Sequence, residues 1–458
     1  MGKRFSLDMT NGPFLKKILI FSVPLMLTGL LQLAYNTADV IVVGRFVGKE
    51  ALAAVGSTGS LVNLFLNVFL GLSMGSGVMV ARHIGERDDK KIHDCVHTAM
   101  ILSVVCGFFV GTLGFFGSKG MLKLMNAPDD VIELASLYLK IYFLGSPGLL
   151  AYNFGASIVR STGDTKRPLY ILTFAGLINV VLNLVLIIVF KLGVSGVAIA
   201  TIVSQYVSAF LIIIYLLKMP NACKLILSEL KFNKTELKGI LRLGLPAGIQ
   251  NSLFSISNVV IQSTVNSFGS VAMAGIAAGS NYDSYVYTCT NAIAQTTMTF
   301  SSQNMGAKKY SNIGRVYRHC LILTTVIGVV MGLVGSAYGE EIVGLFSDDA
   351  DVIVIGAERM IQIMPFYCFC SLMDVAASQI RGMGKSFEPM IVSLLGACGI
   401  RLFWIYFILP INKTLTFLYW AYPVSWAVTF FAQFVMYFIL KSKMKRQGLF
   451  DDEVRATV

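Results

Sequence analysis

Long apolar stretches recur along the whole chain, and they constrain its fold more than any other feature. A helix that crosses about 30 Å of hydrocarbon needs about 20 mainly apolar residues. The mean hydropathy of +0.71 and the charged fraction of 14% are typical of a chain that lies mostly in lipid. We predict an all-α membrane protein with twelve transmembrane spans, numbered here in chain order, at residues 15–44, 51–81, 94–117, 131–159, 168–190, 194–217, 239–266, 271–303, 316–337, 352–380, 388–409 and 416–440.

The basic side chains fall mainly on one side of the predicted membrane. An even number of spans puts both termini on the same side, and 28 of the 37 Lys and Arg residues lie there, against 6 on the other side. The positive-inside rule makes that side the cytoplasm, so we expect a multi-pass protein of the cell membrane with both termini cytoplasmic. The net charge of +12 then reflects topology and contact with anionic lipid, not binding of nucleic acid.

The two halves of the sequence repeat each other. RSTGDTKRP at 160–168 returns as RGMGKSFEP at 381–389, with Arg, Gly and Pro at the same places in both copies. Six spans separate the copies, so both halves enter the membrane in the same sense. This predicts two parallel six-helix lobes, residues 1–217 and 239–458, joined by a basic cytoplasmic linker at 218–238. In transporters built from such repeats, the substrate lies between them near the midplane.

One acid, Asp39, interrupts the first span in LLQLAYNTADVIVVGRFVG. Burying a carboxylate at the membrane centre costs about 2.5–3.5 kcal/mol on insertion scales, so such an acid is a functional candidate, unless it sits at a helix end and reaches headgroup water. Protonation or pairing with a cation such as Na⁺ would make the acid tolerable, and either makes it a switch. Earlier in the span, Pro24 cannot donate a helix hydrogen bond and predicts a hinge.

Polar residues in spans 5 and 6 are candidate partners of this acid. Asn179 and Asn183 are four residues apart and so lie on one face of span 5. They could equally serve as hydrogen-bonding glue between helices. Thr201 in span 6 is a weaker candidate, because membrane helices use threonine freely.

A second group of polar and aromatic residues suits a substrate cavity. Polar residues recur at three- and four-residue spacing along span 7, which predicts a stripe that faces an aqueous cavity. In span 8 an acid lies among tyrosines, a combination that attracts organic cations, although an interfacial aromatic belt would look the same. We expect the cavity to be lined by Gln32, Tyr35, Asn36, Asn258, Gln262, Asp283 and Tyr287.

Arg401 lies near the middle of span 11, where an unpaired guanidinium is hard to tolerate. The intramembrane acids of the same half are Asp374 in span 10 and Asp283 in span 8. We predict an ion pair with Asp374, and keep Asp283 as the alternative. Such a pair could be purely structural or could take part in coupling.

Several classes of function are disfavoured. The chain has no P-loop sequence, so ATP does not drive it directly. The sequence shows no nucleophile–base pair and no spacing typical of metal ligands. We therefore expect that the protein is not an enzyme and needs no cofactor. We expect no metal site beyond possible Na⁺ at Asp39. The four histidines fall in or beside the basic loops, and we predict that they are solvated: His83, His93, His97 and His319.

The assembled features resemble the multidrug and toxic compound extrusion (MATE) transporters. The likeness covers residues 12–440 and is carried by SVPLMLTGLLQLAYNTADVIVVGRFVG at the start, the twelve spans, and the repeated RSTGDTKRP and RGMGKSFEP loops. It implies a V-shaped, two-lobed bundle that acts as a monomer. It also implies an antiporter that expels amphiphilic, often cationic compounds in exchange for H⁺ or Na⁺.

Within that family the resemblance is greatest to the DinF-like branch. There a helix 1 acid works with a helix 5 asparagine and acid and a helix 6 threonine, which match Asp39, Asn179, Asn183 and Thr201. Position 183 departs from the pattern, because it is an amide here. The NorM-like branch places an acid in helix 7, and span 7 of this chain has none.

Two other functions remain open. A flippase for a lipid-linked oligosaccharide or lipid, from the same superfamily of folds, tends to carry more basic residues in its cavity and often fourteen helices. A structural or channel-like membrane protein is disfavoured by the parallel repeat.

Overall fold

The computed structural model describes residues 7–124 and 129–450, and within these ranges the chain is helical with no strand. The helices are α1 Phe14–Phe46, α2 Lys49–Glu86, α3 Asp89–Leu124, α4 Asp129–Leu144, α5 Ser146–Ser161, α6 Lys166–Leu184, α7 Val194–Leu217, α8 Lys234–Asn266, α9 Ser270–Gly306, α10 Tyr310–Ala337, α11 Gly339–Gly344, α12 Ala350–Ile363, α13 Tyr367–Gly382, α14 Phe387–Ser393, α15 Ile400–Phe403, α16 Leu415–Tyr419 and α17 Ala421–Arg446.

These helices supply the twelve predicted spans. Nine helical segments in the described ranges are long and apolar enough to cross a membrane, and the pair α4 and α5, bent by 46°, makes a tenth. The remaining two are α8 and α9, with 33 and 37 residues. A helix rises by about 1.5 Å per residue, so both are longer than a bilayer is thick. They are too polar to pass on hydropathy, and they are the spans in which the sequence predicts polar, cavity-facing residues.

The backbone repeats as well as the sequence. Helix junctions that need a positive φ angle recur at the same separation as the repeated loops. Some of these junctions have a glycine at the positive φ angle. In the others a basic residue adopts the left-handed conformation just after a helix. The matching pairs are Gly48 and Gly269, Arg87 and Lys308, and Gly163 and Gly384. The same helix junctions therefore recur at corresponding places in the two halves.

The described residues form two compact units. One comprises Leu27–Ser252 with the segment that ends at Asp8, and the other comprises Met9–Met26 with Leu253 onward. The chain passes between the units inside α1 and again inside α8. Each of these helices contains a proline shortly before the crossing, Pro24 in α1 and Pro246 in α8. The linker at 218–238 belongs to the first unit.

Four glycines hold the first half of α8 directly against α2. A Cβ on Gly71 would lie 2.3 Å from the backbone N of Gly248, and a Cβ on Gly75 would lie 2.7 Å from the backbone N of Gly244. Each helix thus presents two glycines four residues apart, the small-residue spacing that lets helix backbones approach closely in membranes. The helices run antiparallel, since the contact partner in α8 moves backward as the residue in α2 moves forward.

Candidate functional site

The two faces of α6 differ sharply in chemistry. Asn179 and Asn183 are buried, with 5% and 1% of their surface exposed. The opposite face carries large exposed apolar side chains at alternating four- and three-residue spacing, namely Tyr170, Phe174, Leu177, Val181 and Leu184. An apolar outer stripe suits contact with lipid, so it turns the two amides inward.

Asp39 meets these amides inside the first unit. Asn183 Nδ2 donates one hydrogen bond to Asp39 Oδ1 and another, of 3.3 Å, to Asn179 Oδ1. Both amide hydrogens of Asn183 are therefore used. Its own Oδ1 is buried and has no hydrogen-bond partner among the described residues. A buried oxygen without a partner costs free energy, so it is an open acceptor position beside a carboxylate.

Tyr35, one helical turn before Asp39, fixes the same part of α1 against α6. Its hydroxyl donates to the Thr173 carbonyl at 3.1 Å. Its ring lies where a side chain at position 176 would be, because a Cβ on Gly176 would approach the ring to 2.0 Å. Two contacts one turn apart thus set the register between the helices.

A π-helical segment follows the asparagines. It covers Val185–Val189 and begins two residues after Asn183. Such segments are frequent at functional sites, because the extra residue in the turn re-aims the side chains next to it. The sequence pattern gave no sign of this segment.

The surroundings of Asp39 are aromatic. Tyr138 and Tyr142 of α4 lie close enough to interact with its charge, and their rings stack with centroids 5.9 Å apart. Tyr142 hydrogen-bonds Gln205 of α7. None of these three residues was predicted from the sequence, since tyrosines in an apolar span are more often packing or interface residues.

The other residues proposed for the first half lie at varied depths. The Thr201 hydroxyl donates to the Val197 carbonyl of its own helix at 3.0 Å, and in the described contacts it makes no hydrogen bond to the acid or the amides. Gln32 and Asn36 are exposed, whereas Pro24 is buried. Whether these residues serve coupling, cavity or hinge stays a prediction.

The residues proposed for the second half do not form one cluster. Asn258 and Gln262 are exposed on α8, and Gln262 Nε2 donates to Asn266 Oδ1 at 3.1 Å. Asp283 pairs with Arg359 through two hydrogen bonds of 3.2 and 2.5 Å. The exposed Tyr287 ring belongs to a different contact, in which its hydroxyl hydrogen-bonds Asp374.

The predicted ion pair of Arg401 does not form among the described residues. Its Nε donates to Ser425 Oγ at 3.1 Å, and the guanidinium carbon lies 4.6 Å from the Tyr422 ring centroid and 5.7 Å from that of Trp426. Aromatic faces attract a desolvated cation and so replace the carboxylate. Asp283, the alternative partner, does not pair with Arg401 because it already forms an ion pair with Arg359, which is 4% exposed.

The prediction that the histidines are solvated is wrong for two of them. His83 and His97 are 5% and 1% exposed. His97 Nδ1 bonds the His93 carbonyl at 2.7 Å, and its Nε2 meets the backbone of Ile226. His83 lies between two glutamates, one of them far away in the sequence. Both were missed because long-range packing, not local sequence, buries them.

The comparisons with known proteins agree with this architecture. The MatE family model matches residues 24–185 and again 246–407. Curated relatives include the "Probable multidrug resistance protein YpnP" of Bacillus subtilis, 29% identical over 86% of this chain and 88% of its own length. Another is the "Probable multidrug resistance protein NorM" of Thermotoga maritima, 25% identical over 84% of each chain.

A solved structure extends the likeness to three dimensions. A transporter of the MOP superfamily from Pyrococcus furiosus superposes with a TM-score of 0.89 at 22% identity, covering 95% of this chain and 98% of that one. This confirms the all-α, twelve-span fold. The DinF-like branch stays a prediction. Because the family model matches both halves of the sequence, the chain belongs to the MatE family of membrane transporters and is not an enzyme.

Proposed function

We propose that this protein is a secondary active multidrug efflux transporter that exchanges cytoplasmic amphiphilic or cationic compounds for H⁺ or Na⁺ by alternating access, with both termini in the cytoplasm. The multidrug resistance names of its relatives support the class of cargo. The parallel repeat supports the mode of transport, since repeat-built transporters move one repeat against the other.

One observation carries the coupling proposal: Asp39 accepts a hydrogen bond from Asn183, whose buried Oδ1 has no partner in the part of the chain that the structure describes. The Oδ1 of Asn183 belongs to the same amide that contacts the carboxylate, so we propose it as an oxygen ligand for a Na⁺ ion bound at Asp39, because oxygen ligands suit hard cations. A proton on Asp39 would turn the carboxyl into a donor, for which the same amide oxygen is an acceptor. The site therefore has a distinct arrangement for each charge state of Asp39.

The site belongs to one half of the molecule only. When the halves are aligned on their repeated loops, Asp39 corresponds to Val260, and an alignment on Pro24 and Pro246 shifts the match to Ile261. Both positions are apolar. Duplication has thus kept the fold and left the acid in one copy. We propose that Asp39 is the coupling residue of the amino-terminal half and that no equivalent acid acts at the matching place in the other.

Neutralising Asp39 would act through α1. The acid and Tyr35 bind the second half of this helix to α6. Pro24, which removes one backbone hydrogen bond, lies two residues before the last α1 residue of the other unit, Met26. We propose that a change of partner at Asp39 alters the bend of α1 near Pro24, contracts the first-half cavity and releases the substrate.

Dye transport in inverted membrane vesicles tests this function. With pH and sodium gradients imposed separately, we expect one of them to drive accumulation of ethidium and of unrelated organic cations. Failure of both gradients would contradict ion coupling. Transport that requires a polyprenyl-linked sugar would instead favour the flippase.

A further inference from the structure

A second buried cluster of titratable groups lies at the end of α2 and shares no residue with the Asp39 site. His83 and Glu86 come from the last turn of α2, Cys95 from α3, and Glu236 from the first turn of α8. The transport mechanism proposed above uses none of them. All four belong to the first compact unit.

Three of these side chains point their metal-binding atoms at one another. His83 Nε2 lies 2.9 Å from Glu236 Oε2, and the Cys95 thiol is hydrogen-bonded to Glu236 as well. The imidazole nitrogen, the sulfur and the carboxylate oxygen all lie within 4.8 Å of one another. His83, Cys95 and Glu236 are 5%, 0% and 4% exposed, so solvent hardly reaches them.

We propose that His83, Cys95 and Glu236 form a binding site for one divalent transition-metal ion, of which Zn²⁺ fits best. Nitrogen, thiolate sulfur and carboxylate oxygen are the three ligand types that Zn²⁺ takes in proteins. A hard ion such as Mg²⁺ or Ca²⁺ is disfavoured, because it needs an oxygen shell. Three protein ligands leave the fourth tetrahedral position to water.

The atoms need only small movements to bind the ion. Bond lengths of about 2.0–2.3 Å to zinc place tetrahedral ligand atoms about 3.3–3.7 Å from one another. In this cluster the three ligand atoms lie within 4.8 Å of one another, and His83 Nε2 and Glu236 Oε2 lie 2.9 Å apart, so binding needs shifts of about 1 Å or less.

Glu86 supplies a feature that is characteristic of metal sites. Its Oε2 lies 3.0 Å from His83 Nδ1, the ring nitrogen that points away from the cluster. Metal-binding histidines almost always donate their second N–H to a carboxylate or a carbonyl, which fixes the ring and its tautomer. Glu86 thus holds Nε2 of His83 toward Cys95 and Glu236.

The charge of the cluster also suits a divalent ion. Two carboxylates, those of Glu86 and Glu236, face His83 from its two ring nitrogens. A positive ion bound beside them offsets their negative charge in a region that solvent hardly reaches.

The position of the cluster follows from the glycine contacts between α2 and α8. His83 lies eight residues after Gly75, and Glu236 lies eight residues before Gly244. Because these glycines touch and the helices run antiparallel, equal steps in opposite directions bring His83 and Glu236 together. A metal here would tie α2, α3 and the start of α8 into one block.

Metal analysis of the full-length protein in detergent tests the proposal. After dialysis against buffered Zn²⁺, we expect one zinc per chain, and loss of that zinc in Cys95→Ser and in Glu236→Gln. Cys320→Ser is the matched control, because Cys320 is equally buried and lies in α10, outside the ligand set. We expect this variant to keep the zinc.

Co²⁺ bound to the wild-type protein keeps the test independent of how well the variants fold. A thiolate-to-cobalt charge-transfer band in the wild type and in Cys320→Ser, and its absence in Cys95→Ser, would support the site. No such band in the wild type would overturn it. Loss of zinc from Cys320→Ser to the same degree as from Cys95→Ser would overturn it as well. Neither result bears on ion-coupled transport, which is measured separately.

Discussion

At the scale of single residues, the amide of Asn183 decides how Asp39 is held. It donates to the carboxylate with one hydrogen and to Asn179 with the other, and its oxygen is left open. An apolar residue at position 183 would leave the acid without this donor in a poorly solvating pocket. An amide there can bind either charge state of the acid, because it has both a donor and an acceptor.

Replacing Asn183 with Ala should lower ion-coupled dye transport at least about tenfold, since a hydrogen bond to a charged group contributes about 1.5–3 kcal/mol. The measurement is the initial rate of gradient-driven dye uptake, normalised to the amount of inserted protein. Asn153→Ala is the matched control, because the side chain of Asn153 donates to the Leu149 carbonyl of its own helix at 2.8 Å and, in the described contacts, not to an acid. Equal rates in the two variants would argue against a role for Asn183.

The site residues that could be identified from the sequence are polar residues within apolar spans. Asp39, Asn179 and Asn183 were singled out because a polar group in an apolar span needs a partner, and the structure brings these three together. Arg401 followed the same logic and gave the wrong partner. The sequence showed the need for a partner there, but not that Tyr422 and Trp426 would provide it.

At the scale of helices, close backbone contact fixes α8 against α2. Any side chain on Gly71 would overlap the backbone of Gly248 and Gly244, which cannot move aside as a flexible side chain could. The contact also aligns the two helices so that His83 reaches Glu236. Packing and the proposed metal site thus depend on the same glycines.

Gly71→Ala should therefore lower thermal stability, with overpacking costing about 1–3 kcal/mol. Gly56→Ala is the control in the same helix, because a Cβ there meets no atom of the described residues within 4 Å. That change should be neutral or stabilising by up to about 1 kcal/mol, as Ala is the better helix former. Unfolding midpoints of the two detergent-purified variants provide the comparison, and equal midpoints would contradict the close contact.

The linker between α7 and α8 is packed, not free. Cys223 is fully buried in it, and burial raises the pKa of its thiol to about 12. Because the thiolate is the reactive form, a raised pKa removes reactivity at neutral pH, and the reactivity returns only as the pH approaches that value.

A maleimide should accordingly label Cys223 very slowly at pH 7 in a variant that has no other cysteine. Moving the single cysteine to the exposed position 228 of the same linker, as Ser228→Cys in the Cys223→Ser background, should restore rapid labelling. Mass spectrometry of timed samples measures both rates. Fast labelling of Cys223 in the folded protein would show that the linker is not packed as described.

At the scale of the whole molecule, the repeat accounts for most of what the sequence could predict. Hydropathy sets the spans, the charge bias predicts the sidedness, and the recurring loops show the duplication. Positive φ angles recur at corresponding positions of the two halves, and the family model matches twice. The polar residues of α8 and α9 weaken the hydropathy of these two helices, and their lengths of 33 and 37 residues agree with the spans predicted at 239–266 and 271–303.

What the sequence could not supply are contacts between distant segments. His83 and Glu236 lie far apart in the chain, and nothing local to either indicates that both are buried. The places inside α1 and α8 where the chain passes from one unit to the other could not be predicted either. No break in the helix pattern or in hydropathy marks them. Such features depend on which faces meet, and that is decided only in the folded chain.

The account depends most on Asp39 as the group whose charge state drives transport. Gradient-driven dye uptake by Asp39→Asn in inverted vesicles tests this directly, with Asp348→Asn as the matched control, since Asp348 lies exposed in a loop. We predict that the Asp39 variant inserts normally but loses gradient-driven uptake, while the Asp348 variant keeps it. Near-normal uptake by the Asp39 variant would contradict the account.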